Sequence, residues 1–235
     1  MTRPPYPKEM LSEFHRLQHR KLIYLITSGQ TTLATQPETE PFSRLLALAT
    51  AAVEAEVDLL QIREKELSAR VLYELTKRIA RLTRGSQTKL LVNDRADIAT
   101  AAGADGVHLT TSSLPARIVR NAFGANFLIG VSTHSEEEAA GARLARADFA
   151  VFGPVFETPD KLKYGPPQGL DRLRAIAYAS GDFPVLALGG IGVERVAECM
   201  DAGASGVAGI RMLGEPNGLA RVVAEIRKTI HDHSK

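Results

Sequence analysis

Three polar clusters in this chain each close a short apolar run. Asn93-Asp94 follows Leu90-Leu-Val92, Gln61-Ile-Arg63-Glu-Lys65 grows out of Asp58-Leu-Leu60, and Ser132-Thr-His134 ends the run Ala125–Val131. An amide beside a carboxylate can hold a hard cation and an anionic ligand together. Asp94 also fits the pattern of a helix N-cap, with Asp97 favouring the N-terminal dipole, so pattern alone leaves capping and ligand binding both open. Gln61, Arg63 and Lys65 alternate along an extended run. A cation directed into an apolar interior needs either a neighbouring carboxylate or an anionic ligand. Gly189-Gly190-Ile191 and Gly209-Ile-Arg211 follow two further apolar runs. Such turns offer free backbone N–H groups to a phosphate. Lys161 and Lys163 share a loop with Gly153, Gly165 and Gly169, as a cover over an anion or as solvated side chains. His134 reads as a polar rim residue or an acid/base group. His108, inside an apolar run, reads as a hydrogen-bonded core histidine, and Cys199 as a small buried apolar residue.

These clusters need elements that bring them to one place. Strand-like runs fall at Lys21–Thr27, Asp58–Arg63, Lys89–Asn93, Gly106–Leu109, Ala125–Val131, Ala147–Phe152, Phe183–Leu188 and Ser205–Ala208. Helix-like segments separate them, over about Phe42–Glu56, from Ser68 to about Thr83, from Ser135, and from about Asn217 onward. Ser135 precedes three glutamates, which suit a helix N-terminus. Strictly alternating runs require a parallel sheet, and a count of eight favours closure into a (β/α)8 TIM barrel of one domain, residues 21–235. Polar residues at the strand ends then converge on one face, where such barrels bind ligands. Ala-Gly-Ala-Asp/Ser-Gly-Val occurs at Ala102–Val107 and Ala202–Val207, with an echo at Ala147-Asp148. Each copy marks a helix stop that runs straight into a buried strand. Residues 1–20 form an extension in which Met10, Phe14 and Leu17 suggest a short amphipathic helix. The long segment Ser28–Pro41 is a candidate lid.

The formal charge is +2, with 29 basic and 27 acidic residues spread along the chain, which excludes a nucleic-acid footprint. One cysteine excludes an internal disulfide and fits a reducing, cytoplasmic setting. No leader-type apolar stretch opens the chain and no run is long enough to span a membrane. The residues by themselves thus lead to a barrel that binds a small phosphorylated substrate, with a divalent cation, and in which copies of the chain can associate.

Taken together, the motifs resemble the thiamine phosphate synthase and thiazole tautomerase family. They are Tyr24-Leu-Ile-Thr27, Gln61-Ile-Arg63-Glu-Lys65, Asn93-Asp94-Arg-Ala-Asp-Ile-Ala, Gly103-Ala-Asp-Gly-Val-His-Leu109 and Ile129-Gly-Val-Ser-Thr-His134. Phe152-Gly-Pro-Val-Phe156 with Thr158 and Lys161, then Pro184 through Ala187-Leu-Gly-Gly-Ile191, complete the series over roughly residues 21–228. The resemblance implies a barrel that couples 4-amino-2-methyl-5-hydroxymethylpyrimidine diphosphate to thiazole phosphate, with magnesium and with release of pyrophosphate. It implies that Gln61, Lys65, Asn93, Ser132 and Lys161 hold the pyrimidine diphosphate, with Arg63, Lys65 and Lys161 on its leaving group. It further implies that Thr158, Gly189-Gly190 and the turn Gly209–Arg211 hold the thiazole phosphate, and that Asp94 binds magnesium. Three positions depart from the synthase pattern. Ser113 stands where a second acidic metal ligand is usual, Asp160 precedes the loop lysine, and Arg211 replaces a serine. Ser113 suits a metal-free thiazole tautomerase with His134 as acid/base, whereas Gln61, Lys65, Asn93 and Asp94 as a set suit the synthase. A barrel that senses a thiamine precursor without turning it over is a third reading.

Overall fold

Four to six apolar residues in a row, buried on both faces, can only be a strand with neighbours on either side and helices outside. The computed structural model, which describes residues 20–158 and 166–233, contains eight of them. They are β1 (Leu22–Ile26), β2 (Leu59–Ile62), β3 (Lys89–Asn93), β4 (Gly106–Leu109), β5 (Leu128–Thr133), β6 (Phe149–Phe152), β7 (Val185–Leu188) and β8 (Gly206–Gly209). Each pairs in parallel with the next, and β8 returns to β1, so the sheet is a closed eight-stranded barrel. Helices α1 (Glu40–Glu54), α2 (Ala69–Thr83), α3 (Ala96–Ala102), α4 (Ala116–Phe123), α5 (Glu136–Leu144), α6 (Gly169–Ser180), α7 (Val196–Asp201) and α8 (Leu219–Asp232) follow the strands in turn. No helix among the described residues is long and apolar enough to cross a membrane.

The period of two along each strand divides the apolar residues into two cores. Leu22, Tyr24, Leu59, Leu91, Phe149 and Leu186 point inward and, with their neighbours, fill the barrel. Ile23, Leu25, Leu60, Val92, Ile129 and Val207 point outward and meet the helices. Continuing the inward parity to the C-terminal ends brings Gln61, Arg63, Asn93, His108 and Ser132 to the mouth. The inward face of β5 carries Gly130. A Cβ there would lie 2.8 Å from both Phe149 Cε2 and His108 Nδ1, so glycine is what lets the Phe149 ring cross the barrel.

The repeated Ala-Gly-Ala-Asp element has a structural reason. Asp58, Asp105 and Asp148 each precede an even-numbered strand and accept the N–H of Ile23, Leu90 and Ile129 in the preceding odd-numbered one. Ser205 takes the same place before β8 and accepts from Val185 N. Cations balance the carboxylates. Arg20 and Arg227 pair with Asp58, Lys89 with Asp105 and Arg120 with Asp148.

Several boundaries differ from the sequence reading. β5 begins at Leu128 rather than Ala125, because the Gly124, Ala125 and Phe127 carbonyls are turned onto the buried Arg120 guanidinium. It runs on through Ser132 and Thr133, which are paired with Val151 and Phe152. α1 starts at Glu40, with Pro41 in its first turn, and α8 at Leu219 behind Gly218. Ser68 and Ser135 do cap α2 and α5, accepting from Val71 N and Glu138 N. The proposed N-terminal helix at Met10–Leu17, and the loop residues Asp160, Lys161, Lys163 and Tyr164, lie outside the described residues.

Candidate functional site at the barrel mouth

β2 and β3 lie side by side, with Gln61 paired to Leu91 and Ile62 to Val92, so their last inward side chains meet. Gln61 Nε2 donates to Asn93 Oδ1 at 3.2 Å, and Asn93 Nδ2 donates to Asp94 Oδ2 at 2.8 Å. The other Asp94 oxygen accepts the Ser113 hydroxyl, and Thr110 Oγ1 lies 3.0 Å from Ser113 Oγ. Asp94 therefore does not cap α3. That position belongs to Arg95, which forms a two-pronged pair with Asp97 at 2.9 and 2.6 Å and holds the Asp97 carboxyl below its usual range. Asp94 instead has φ +59, a left-handed backbone uncommon outside glycine, which brings its carboxylate over the end of β3. One carboxylate with two hydroxyls and an amide is an oxygen-donor set suited to magnesium that keeps water and takes phosphate oxygens. The residues present thus fit that ion, with Ser113 as a neutral donor where a second carboxylate would bind more strongly. Among the described residues no cluster of three or more His, Cys, Asp or Glu side chains offers an alternative metal site.

Below Ser132 lies a buried polar chain. Tyr24 Oη is 3.2 Å from His108 Nδ1, and His108 Nε2 is 2.9 Å from Ser132 Oγ. Burial lowers the His108 pKa to about 4, with Asp94 opposing and Arg63 reinforcing that shift, so the ring is neutral near pH 7. Burial likewise pushes the Tyr24 phenol well above its ordinary value. His134 stands apart on the rim, its Nδ1 2.6 Å from the Gly153 carbonyl. A carbonyl only accepts, so Nδ1 carries a proton, and in the neutral tautomer the lone pair is on Nε2.

The second half of the site is built from glycine turns. Gly189 and Gly190 both have positive φ, 101° and 65°, and a Cβ on Gly190 would lie 2.5 Å from the Glu157 carbonyl oxygen. Arg195 secures this turn by donating to the Gly190 carbonyl while its guanidinium stacks 4.5 Å from the Phe156 ring centre. A cavity of about 640 Å³ opens here, lined by Arg63, Thr158, Gly189, Gly190, Gly209 and Arg211 among others. That volume is within the range of small-molecule sites. Neither Arg63 nor Lys65 forms an ion pair among the described residues, and Lys65 is exposed on the turn beyond β2. The segment Ser28–Pro41, read as a lid, gives its last two residues to α1 and is tied down at its start. Gly29 N, Thr31 N and Thr31 Oγ1 all donate to the buried Glu64 carboxylate.

Gln61, Asn93, Asp94 and Ser113 come together as one cluster, and Arg63, Thr158, Gly189, Gly190, Gly209 and Arg211 around one cavity. Ser132 stands at the end of β5 against His108, His134 follows it against the Gly153 carbonyl, and Lys161 lies outside the described residues. Tyr24, Thr110 and Glu64 are site or support residues that the sequence did not single out. Only Thr110, inside a run of four hydroxyl residues, carried a compositional signal.

This geometry can be set beside known proteins. The sequence profile of the thiamine monophosphate synthase family matches residues 23–213, nearly the whole barrel. The chain belongs to that family. A thiamine-phosphate synthase from Roseiflexus castenholzii is 40% identical over 91% of this chain and 90% of its own length. One from Moorella thermoacetica is 39% identical over 78% and 85%. Among solved structures, thiamine phosphate pyrophosphorylase from Pyrococcus furiosus superposes with a TM-score of 0.77 at 30% identity, over 93% of this chain and all of that one. Cys199 has no part in the family site. It is buried in α7, where burial, with Glu198 adding to it, pushes its thiol up to about 12.

Proposed function

We propose that this family member is a thiamine phosphate synthase, which joins the pyrimidine methylene carbon to the thiazole nitrogen with departure of pyrophosphate. The observation that carries this reading is that two anion-receiving groups stand at the C-terminal ends of strands of one closed barrel. The glycine turns with Arg211 and Thr158 suit a monophosphate. The Asp94 cluster, with Arg63 and Ser132 beside it, suits a diphosphate. A coupling enzyme needs two such subsites within bonding distance of each other, whereas a single-substrate isomerase needs one.

In the reaction, the methylene C–O bond breaks and its electron pair leaves with the diphosphate. The thiazole nitrogen lone pair then forms the new C–N bond. Negative charge grows on the departing oxygens, so preorganised donors aimed at them lower the barrier most. Arg63 reaches the cavity from β2 and Ser132 the mouth from β5, while Gln61 and Asn93 hold the pyrimidine end. Lys65, exposed on the turn beyond β2, and Lys161 would add positive charge toward the departing diphosphate. Asp94 with Ser113 would hold a magnesium ion, which when bound would supply further positive charge to the diphosphate. The fixed cradle positions the thiazole, which contributes by orientation. Incubation with both phosphorylated precursors and magnesium tests this reading: pyrophosphate release only when both precursors are present supports it, and release with the thiazole phosphate omitted counts against it.

One observation favours thiazole tautomerase activity as a second reading. His134 Nδ1 is engaged by Gly153 O, so in the neutral ring the lone pair is on Nε2, at the rim. If that base transfers protons, His134→Ala removes isomerisation of thiazole carboxylate phosphate by about two to four orders of magnitude. Retained coupling in the same variant assigns the physiological role to the synthase.

A further inference from the structure

The proton on the buried His108 ring can be located from its neighbours. Tyr24 is wholly buried inside the barrel, and among the described residues its hydroxyl meets no polar atom other than His108 Nδ1. If Nδ1 carried the ring proton, the phenol hydrogen would be left without an acceptor in an apolar interior, which is costly. If instead the phenol donates to Nδ1, only an oxygen lone pair is unused. That loss is smaller, since a phenol is a far better donor than acceptor. The ring proton then sits on Nε2, 2.9 Å from Ser132 Oγ. Ser132 has one hydrogen and two lone pairs. With one lone pair taken by Nε2–H, its own hydrogen is released toward the mouth.

We propose that Tyr24 fixes His108 as the Nε2–H tautomer and thereby commits the Ser132 hydroxyl to donate to an anionic oxygen at the mouth. Tyr24 and His108 are positioning residues in this scheme, since neither touches substrate. A serine that spent its hydrogen on His108 Nε2 could only accept from a ligand. The relay excludes that state and keeps the hydroxyl hydrogen available to an acceptor-rich ligand such as a diphosphate. Three strands contribute, β1, β4 and β5. Packing holds them in line, with the Tyr24, His108 and Phe149 rings in tilted and edge-on contact at 5.6–6.1 Å centre to centre.

The scheme rests on the reading of Ser132 as a diphosphate ligand, and the test separates the two. Long-range proton–nitrogen correlation spectra of the full chain, labelled at its six histidines, identify each tautomer, and His108→Gln assigns the His108 signals. The wild type is expected to show Nε2–H at His108, and Tyr24→Phe to lose that preference. Binding of inorganic pyrophosphate with magnesium is the second readout. Tyr24→Phe is expected to weaken it about tenfold, the worth of one charge-assisted hydrogen bond, and to have no effect in a Ser132→Ala background. An Nδ1–H tautomer in the wild type overturns the relay and leaves the ligand reading of Ser132 standing. Unchanged pyrophosphate binding in Ser132→Ala overturns the ligand reading and the proposal with it. Equal weakening by Tyr24→Phe with and without Ser132 overturns the relay as well, by showing a general packing effect.

Discussion

Gly130→Ala puts the interior packing of the barrel under a measurable load. The added Cβ would stand 2.8 Å from Phe149 Cε2 and closer still to Cζ, and 2.8 Å from His108 Nδ1. Carbon pairs settle at about 3.5–4.0 Å, so the ring has to move by about 1 Å or the strand has to bend. Phe149 has nowhere to go: it is fully buried and packs edge-on against Tyr24 at 5.6 Å. Overpacking of this kind costs about 1–3 kcal/mol. For a chain of this size each kcal/mol lowers Tm by about 2–4 °C, which puts the loss on the order of 5 °C. Thermal unfolding of Gly130→Ala, Phe149→Leu and the double variant measures the contact itself. Leucine removes the Cζ and Cε2 atoms that collide, so Gly130→Ala is expected to cost at least 1 kcal/mol less in that background. Strict additivity, or a neutral Gly130→Ala, would refute the claim that glycine is needed for the Phe149 ring.

Other outcomes follow from the same geometry. Arg211→Ala is expected to raise KM for thiazole phosphate about 10–100-fold with kcat nearly unchanged, since the lost contact serves ground state and transition state alike; steady-state kinetics with the diphosphate saturating reads it. Ser113→Asp is expected to lower the magnesium concentration for half-maximal coupling, because a carboxylate replaces a neutral donor beside Asp94. A magnesium titration with an unchanged or higher midpoint would take Ser113 out of the metal shell. Asp148→Ala is expected to cost about 3–5 kcal/mol in urea unfolding, since it leaves the 5% exposed Arg120 guanidinium without its carboxylate and Ile129 N without its acceptor.

The barrel was legible because local and global signals agree. Eight apolar runs, separated by helix-like segments and closed by polar ends, admit few other arrangements, and the Gly-Ala-Asp-Gly repeat marked where helices stop. What that aspartate does was not legible. Its acceptor role toward Ile23, Leu90 or Ile129 depends on strand register, which a single run does not reveal. Asp94 shows the same limit from the other side. Its neighbours in sequence suggested a helix cap, yet its left-handed backbone hands the cap to Arg95 and turns the carboxylate toward Ser113. His108 was rightly read as a satisfied core histidine, but its partners Tyr24 and Ser132 lie 84 and 24 residues away, and only closure of the sheet unites them. The start of β5 was misplaced for an equally non-local reason, because Arg120 on α4 captures three carbonyls that would otherwise extend the strand.

Coupling is tested most directly by a single turnover of the wild-type chain with both phosphorylated precursors and magnesium, quenched over time and analysed for both products. Equal amounts of pyrophosphate and thiamine phosphate, rising together and absent when either precursor is withheld, are the predicted result. Pyrophosphate that forms without thiamine phosphate, or no pyrophosphate at all from a folded protein that binds both precursors, would contradict it.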